Sequence, residues 1–145
     1  MAGSKSDWFE NVVLDSILGK SSTELSTGKV AATVYVALFN STINDTWTPL
    51  STGECAGSTY AREAVTNSSA SWTNSTAGSK QNAVAVTFTT AAGADWGTIQ
   101  SFAIIDSDST SAGNIYYWGD LTASQVIASG NTVRFSTGAI VITED

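Results

Sequence analysis

The chain has 145 residues, with 13 acidic and 6 basic side chains, no histidine, one cysteine and one proline, for a formal net charge of −7. That length suits one domain with a modest core, while the lack of histidine excludes Ser–His or Cys–His catalysis and imidazole metal sites, and a lone cysteine excludes an internal disulfide or a structural zinc site. Charged residues are 13% of the chain, about half the usual ~25%, and serine and threonine fill the gap, so the surface is neutral and polar.

The first element expected is a helix. Asp7, with Glu10 three residues on, forms an acidic capping box ahead of an apolar run. Trp8, Phe9, Val12, Val13, Ile17 and Leu18 recur at spacings of three and four, and Gly19 stands where a C-terminal stop belongs. Residues 20–29 turn to Ser, Thr and Gly and read as a connector. Residues 1–30 therefore form an N-terminal arm, helix and connector, and residues 31–145 a β-sandwich domain.

From Thr33 the period is two. Thr33–Phe39 sets Val34, Val36 and Leu38 on one face and Tyr35, Ala37 and Phe39 on the other, which predicts a central strand covered twice. In residues 83–88, Val84, Val86 and Phe88 are expected to point inward. Further strands are predicted over 102–105, 115–118, 125–128, 132–135 and 140–143, with Ser129-Gly130-Asn131 closing a hairpin. The fold class is mainly β, an antiparallel β-sandwich with one N-terminal α-helix. Residues 41–57 and 66–80 are long polar loops that each carry a tryptophan, Trp47 and Trp72. Indole is enriched at interfaces, so these two are candidate contacts with a partner chain; the other reading is that each pins its loop to its own sandwich.

Little in the sequence marks chemistry. The six cations are scattered at Lys5, Lys20, Lys29, Arg62, Lys80 and Arg134, which supplies no footprint for nucleic acid, and the acidic charge repels DNA and anionic lipid. There is no ~20-residue apolar run to span a membrane, and the N-terminus lacks the order of a signal peptide. Asp106-Ser107-Asp108-Ser109-Thr110 alternates oxygen ligands as calcium loops do, but lacks the glycine and the distal glutamate, so ordinary turn chemistry accounts for it. Asp95, Asp106, Asp108 and Asp120 fall near predicted strand ends with no spacing that marks a catalytic pair. Cys55, beside Glu54 and with no nearby base, reads as a small buried hydrophobe or an inert exposed thiol. No catalytic residue, cofactor or metal is expected. Tyr60 and Arg62 lie two apart on an extended segment, which lets Arg62 stack on a ring or pair with a carboxylate such as Asp95 or Asp106.

Three stretches carry a resemblance: Thr33–Phe39; Tyr60-Ala61-Arg62-Glu63-Ala64-Val65; and residues 94–98 leading through 102–106 to 113–119, with 121–140 closing the pattern. In order and spacing they resemble a family of small tailed-bacteriophage virion proteins, of decoration (cement) or tail-fibre-like type. The resemblance implies a non-enzymatic structural protein of the virion, made in the bacterial cytoplasm. Within that class, a short, non-repetitive and acidic chain points to a head decoration protein. Such a protein binds the major capsid protein and copies of itself on the outer capsid surface and stabilises the shell by mass action. The alternative is a tail, baseplate or tail-fibre-like component acting in host recognition; a carbohydrate-binding module using exposed tryptophans is a third class. The residues expected to make subunit contacts are Trp8, Phe9 and Val12 on the arm and helix, with Trp47 and Trp72.

Overall fold

In a computed structural model of the chain, the residues described are 13–15, 17–18, 31–44, 47 and 53–143. They contain strands β1 (Thr33–Phe39), β2 (Glu63–Thr66), β3 (Ser79–Gln81), β4 (Val86–Thr87), β5 (Gly97–Ile105), β6 (Ile115–Ile127), β7 (Arg134–Phe135) and β8 (Val141–Thr143). One sheet has four strands in the order β2-β1-β5-β6; β3 pairs with β8, and β4 with β7. The β1–β5, β5–β6 and β3–β8 ladders are antiparallel. The protein is thus mainly β, antiparallel and sandwich-like, as the alternation predicts. The chain divides into two compact units. One takes in the chain up to Thr33, Thr66–Ala85 and Phe135 onward; the other takes in Val34–Val65 and Val86–Arg134.

The second unit is organised around β1. Tyr35 pairs with Ile105, Ala37 with Ala103 and Phe39 with Ser101. Val34, Val36 and Leu38 are fully buried on one face, and Ala37 and Phe39 on the other, so the strand is covered twice, as its sequence predicts. Ala37, Phe39, Ala103 and Ile105 form a core with Ile43, against which Trp47 and Ile115 pack. Beyond β2, the edge of β1 is closed by residues 53–55: Asn40 N donates to the Gly53 carbonyl (2.7 Å), Cys55 N to the Leu38 carbonyl (2.9 Å), and Phe39 bridges to Glu54.

Several expectations need correction. The runs 115–118 and 125–128 are not two strands but parts of β6. Its register against β5 passes from Ser101↔Asp120 to Ile99↔Gln125, so residues 121–124 bulge opposite Gln100. The turn at 129–131 is present, with Asn131 N bonded to the Ala128 carbonyl (3.0 Å). It closes no hairpin, because β6 pairs with β5 while β7 pairs with β4. The strand expected over 83–88 shrinks to β4. Val86 and Phe88 point inward, but Val84 is 43% exposed. The cause is Asn82, whose Nδ2 donates to the Val84 carbonyl (2.7 Å) and holds the chain in a bend. Of the expected helix, Val13–Asp15 and Ile17 are helical; Leu18 N donates to the Leu14 carbonyl (2.9 Å), and both leucines are fully buried. Trp8, Phe9 and Val12 lie outside the described residues.

The serine and threonine content has a structural use. Around residues 58–60 and 89–92, side-chain hydroxyls make the cross-links that a backbone ladder would otherwise make. Ser58 Oγ donates to the Ala92 carbonyl (2.6 Å), Thr59 Oγ1 to the Thr90 carbonyl (3.2 Å) and Thr89 Oγ1 to the Thr59 carbonyl (3.0 Å), while Ala92 N donates to Thr59 Oγ1 (3.0 Å). Neutral groups tie these segments together without desolvating charge.

In the first unit, the turn into β3 runs Thr76-Ala77-Gly78-Ser79, with Thr76 N and Ser79 N each donating to the other residue's carbonyl (2.9 and 3.0 Å). Both central residues have positive φ, +49° at Ala77 and +66° at Gly78, the type I′ geometry that favours Asn-Gly. A left-handed alanine costs roughly 1–2 kcal/mol. Ala77→Asn is therefore expected to stabilise the protein by about 1 kcal/mol, seen as a higher urea midpoint at unchanged m-value. A lower midpoint would show that the turn does not limit stability.

Candidate functional site

The most organised polar cluster lies in the second unit, around the Tyr60 and Arg62 pair that the sequence singles out. Arg62 sits just before β2 with its side chain fully buried, and Glu54 opposite it is only 8% exposed. The guanidinium makes a two-pronged contact, Nε to Oε1 and Nη2 to Oε2 of Glu54, both at 2.8 Å. Its Nη1 donates to the carbonyls of Ser107 (2.8 Å) and Ala112 (3.0 Å), which bracket the tip of the β5–β6 connection. Tyr60 completes the cluster: its hydroxyl donates to Glu54 Oε1 (3.1 Å) and accepts from Leu38 N (2.9 Å). Burial, and next the nearby Glu54 charge, push the Tyr60 phenol far above its ordinary value. Arg62 thus pairs with a carboxylate, but with Glu54 rather than Asp95 or Asp106. The arrangement is a clamp; every donor of the guanidinium described here goes to a carboxylate or carbonyl of the chain itself.

The candidate calcium loop is part of the same construction. Asp106 Oδ1 accepts from Asn114 N (2.6 Å) and Oδ2 from Asn114 Nδ2 (2.8 Å), while Ser109 N donates to Ser107 Oγ (3.2 Å). Asp95 accepts from Ser129 N (2.7 Å). These carboxylates do turn chemistry, and among the described residues no three acidic or cysteine side chains gather as a metal set. Cys55 is buried, with its thiol pushed up chiefly by that burial.

The tryptophans act as pins. Trp96 is 3% exposed and packs edge-on to Tyr60, with centroids 5.4 Å apart, and to Phe88 at 6.3 Å. A β-carbon on Gly57 would collide with the Trp96 ring, so residue 57 must lack a side chain for the indole to seat. Trp47 meets Phe39 edge-on at 4.8 Å, and Trp72 is completely buried. Both candidate contact tryptophans pack against residues of this chain. Their indole nitrogens have no hydrogen-bond partner among the described residues.

In the first unit, Lys80 of β3 is 2% exposed, and its ammonium meets Asp15 Oδ1 at 2.8 Å. Asp15 also accepts from Ser75 N (3.2 Å). Burial raises the Asp15 pKa, but the Lys80 and Ser75 hydrogen bonds outweigh it, so the carboxyl titrates below its ordinary 3.8. A depressed folded-state pKa adds stability that is present above pH 3.8 and lost as the pH falls through the lowered value. Asp15→Asn is expected to flatten that part of the acid limb of a stability–pH profile; an unchanged limb would show that the pair does not contribute. Asn82, fully buried nearby in sequence, donates to the Ser136 carbonyl (2.9 Å) and accepts from Ile140 N (2.8 Å). A shallow polar cavity of about 240 Å³ is lined by Thr73, Asn74, Thr76, Ser79, Lys80 and Gln81.

Asn82, Glu54 and the Lys80–Asp15 pair carry no periodic signal and were not anticipated. Each is one polar residue in a loop or short strand, identifiable only once its partners are known.

Among the described residues, Arg62, Glu54, Lys80, Asp15, Asp95 and Asp106 are held in internal ties, and Phe39, Trp72, Phe88 and Trp96 are packed in the core. A family model described as podophage GP4 fiber I protein gp80 matches residues 4–143. The chain belongs to that family, a family of phage virion structural proteins, in agreement with the resemblance carried by its motifs. A comparison with curated proteins gives no match. No helix among the described residues is long and apolar enough to cross a membrane.

Proposed function

We propose that this protein is a non-enzymatic component of a podophage tail fibre, serving host attachment by position and contact rather than by chemistry. The observation that carries the reading is the match to a fibre protein family over almost the whole chain. The build of the site supports it. The Arg62 clamp fixes the ends of the exposed β5–β6 connection, as suits a part that must present a surface without rearranging. Head decoration, favoured by length and charge alone, has no comparable support, since an acidic and charge-poor surface suits any exterior position on a virion. Copies of the chain, and through them the tail, are the partners this reading expects.

Immunogold labelling of intact virions with antibody to this protein tests the proposal. Gold confined to tail appendages is expected. Gold spread over the head would overturn the reading in favour of decoration, with the major capsid protein as partner.

A further inference from the structure

We propose that the row Trp118, Asp120 and Gln125 on one face of β6 is a binding site for a neutral saccharide. The inference deepens the host-attachment reading and rests on it only for the source of the sugar, the surface of the host cell.

The row is a product of strand register. Trp118 lies opposite Ala103, Asp120 opposite Ser101 and Gln125 opposite Ile99. These β5 partners are every second residue, so the three β6 side chains stand on the same face of the sheet, with a spacing of about 7 Å along it. Uninterrupted pairing would set Thr122 opposite Ile99; the bulge at 121–124 sets the longer amide of Gln125 there instead. Ile99, Ser101 and Ala103 are buried, whereas Trp118, Asp120 and Gln125 are exposed. The three groups therefore stand on a fixed ladder rather than a loop, and their geometry is set before any ligand arrives.

The fold makes no use of them. Trp47 packs on Phe39, and Trp72 and Trp96 are buried, but Trp118 is 44% exposed. Asp15, Glu54, Asp95 and Asp106 each accept hydrogen bonds within the chain. Among the described residues, no hydrogen bond or ion pair engages the Asp120 carboxylate or the Gln125 amide.

The chemistry of the row selects its ligand. An exposed indole face takes an apolar ring face, and the C–H side of a sugar ring is one. A carboxylate only accepts, so the ligand must supply donors, as neighbouring hydroxyls do, and bonds to an ionised acceptor are the stronger kind. The Gln125 amide both donates and accepts, which suits a further hydroxyl. Asp120 and the net charge of −7 disfavour an anionic ligand, nucleic acid included. A small ammonium ligand would also use indole and carboxylate, but such cations are held in cages of several aromatics, and Trp118 is the one aromatic of this row. The row spans about 14 Å, which suits linked sugar rings better than a compact cation.

The test is saturation-transfer NMR on the full chain with millimolar glucose, galactose, mannose, rhamnose, N-acetylglucosamine, maltose, lactose and cellobiose, and with choline chloride alongside. At least one neutral sugar is expected to receive saturation and to change the intrinsic tryptophan fluorescence. Trp118→Ala is expected to abolish both signals, Asp120→Asn to weaken binding at least about tenfold, and Gln125→Ala to weaken it by less. All three positions are exposed, so the unfolding midpoint is expected to hold in each variant. Asn74→Ala, at the polar cavity of the other unit, is expected to leave binding unchanged. Binding of no sugar in the panel, binding that survives Trp118→Ala, binding lost on Asn74→Ala, or a preference for choline would overturn the inference. Gold on tail appendages together with no sugar bound would overturn it and leave the fibre reading intact.

Discussion

Arg62→Met is expected to lower the unfolding free energy by about 3–5 kcal/mol. The substitution keeps most of the apolar volume but leaves the Glu54 carboxylate, 8% exposed, without its two-pronged partner. It also strips a donor from the carbonyls of Ser107 and Ala112. Unpaired buried charge accounts for most of the cost, and the loosened β5–β6 connection for the rest. Folded domains hold about 5–15 kcal/mol in total, so the variant should unfold at far lower urea than wild type. Adding Glu54→Gln to the same chain removes the stranded charge and is expected to recover a substantial part of the loss. If the double variant is no better than Arg62→Met alone, the carbonyl contacts rather than the ion pair hold this region.

Trp72→Ala comes next, with an expected loss of about 3–5 kcal/mol. The side chain is completely buried in the first unit, its backbone N donates to the Ser68 carbonyl (3.1 Å), and it bridges to Asn82. Because its indole nitrogen has no partner among the described residues, Trp72→Phe forfeits volume but no hydrogen bond, and should keep most of the stability. Equilibrium urea unfolding of both variants separates the two roles open to this residue. A contact residue would leave the isolated chain as stable as wild type on either substitution. A loop pin would show the large loss for alanine and the small one for phenylalanine.

Much of the architecture could be read from alternation, and what escaped it has identifiable causes. β1 was legible because both faces are buried and its apolar residues run without a break. Residues 102–105 were found as a strand, but the start of β5 was not, since Gly97, Thr98 and Gln100 carry no apolar alternation. β6 read as two strands because its middle, Thr122-Ala123-Ser124-Gln125, is exposed and polar, and strand prediction follows burial. Val84 went the wrong way because one buried amide, Asn82, overrides local pattern by capturing the next carbonyls. The Tyr60–Arg62 pairing on one face was foreseen, but its acceptor was not. Glu54 reaches it only because residues 53–55 fold back along β1, and no spacing rule records that. Composition turned attention from catalytic chemistry towards packing. It could not separate a capsid address from a tail address, since both ask for the same neutral, hydroxyl-rich exterior.

The β1–β5 register has a consequence for how the molecule is made. Tyr35 must find Ile105, and Phe39 must find Ser101, so the central pairing waits for a long stretch of intervening chain. Closing so large a loop comes before any reward from the contacts it allows, which places this domain among slow folders of high contact order. A ribosome must release nearly three quarters of the polypeptide before the middle of the sheet can form. Until then Val34, Val36 and Leu38 emerge with no strand to cover them, and the nascent chain depends on its hydroxyl-rich neighbours to stay dispersed.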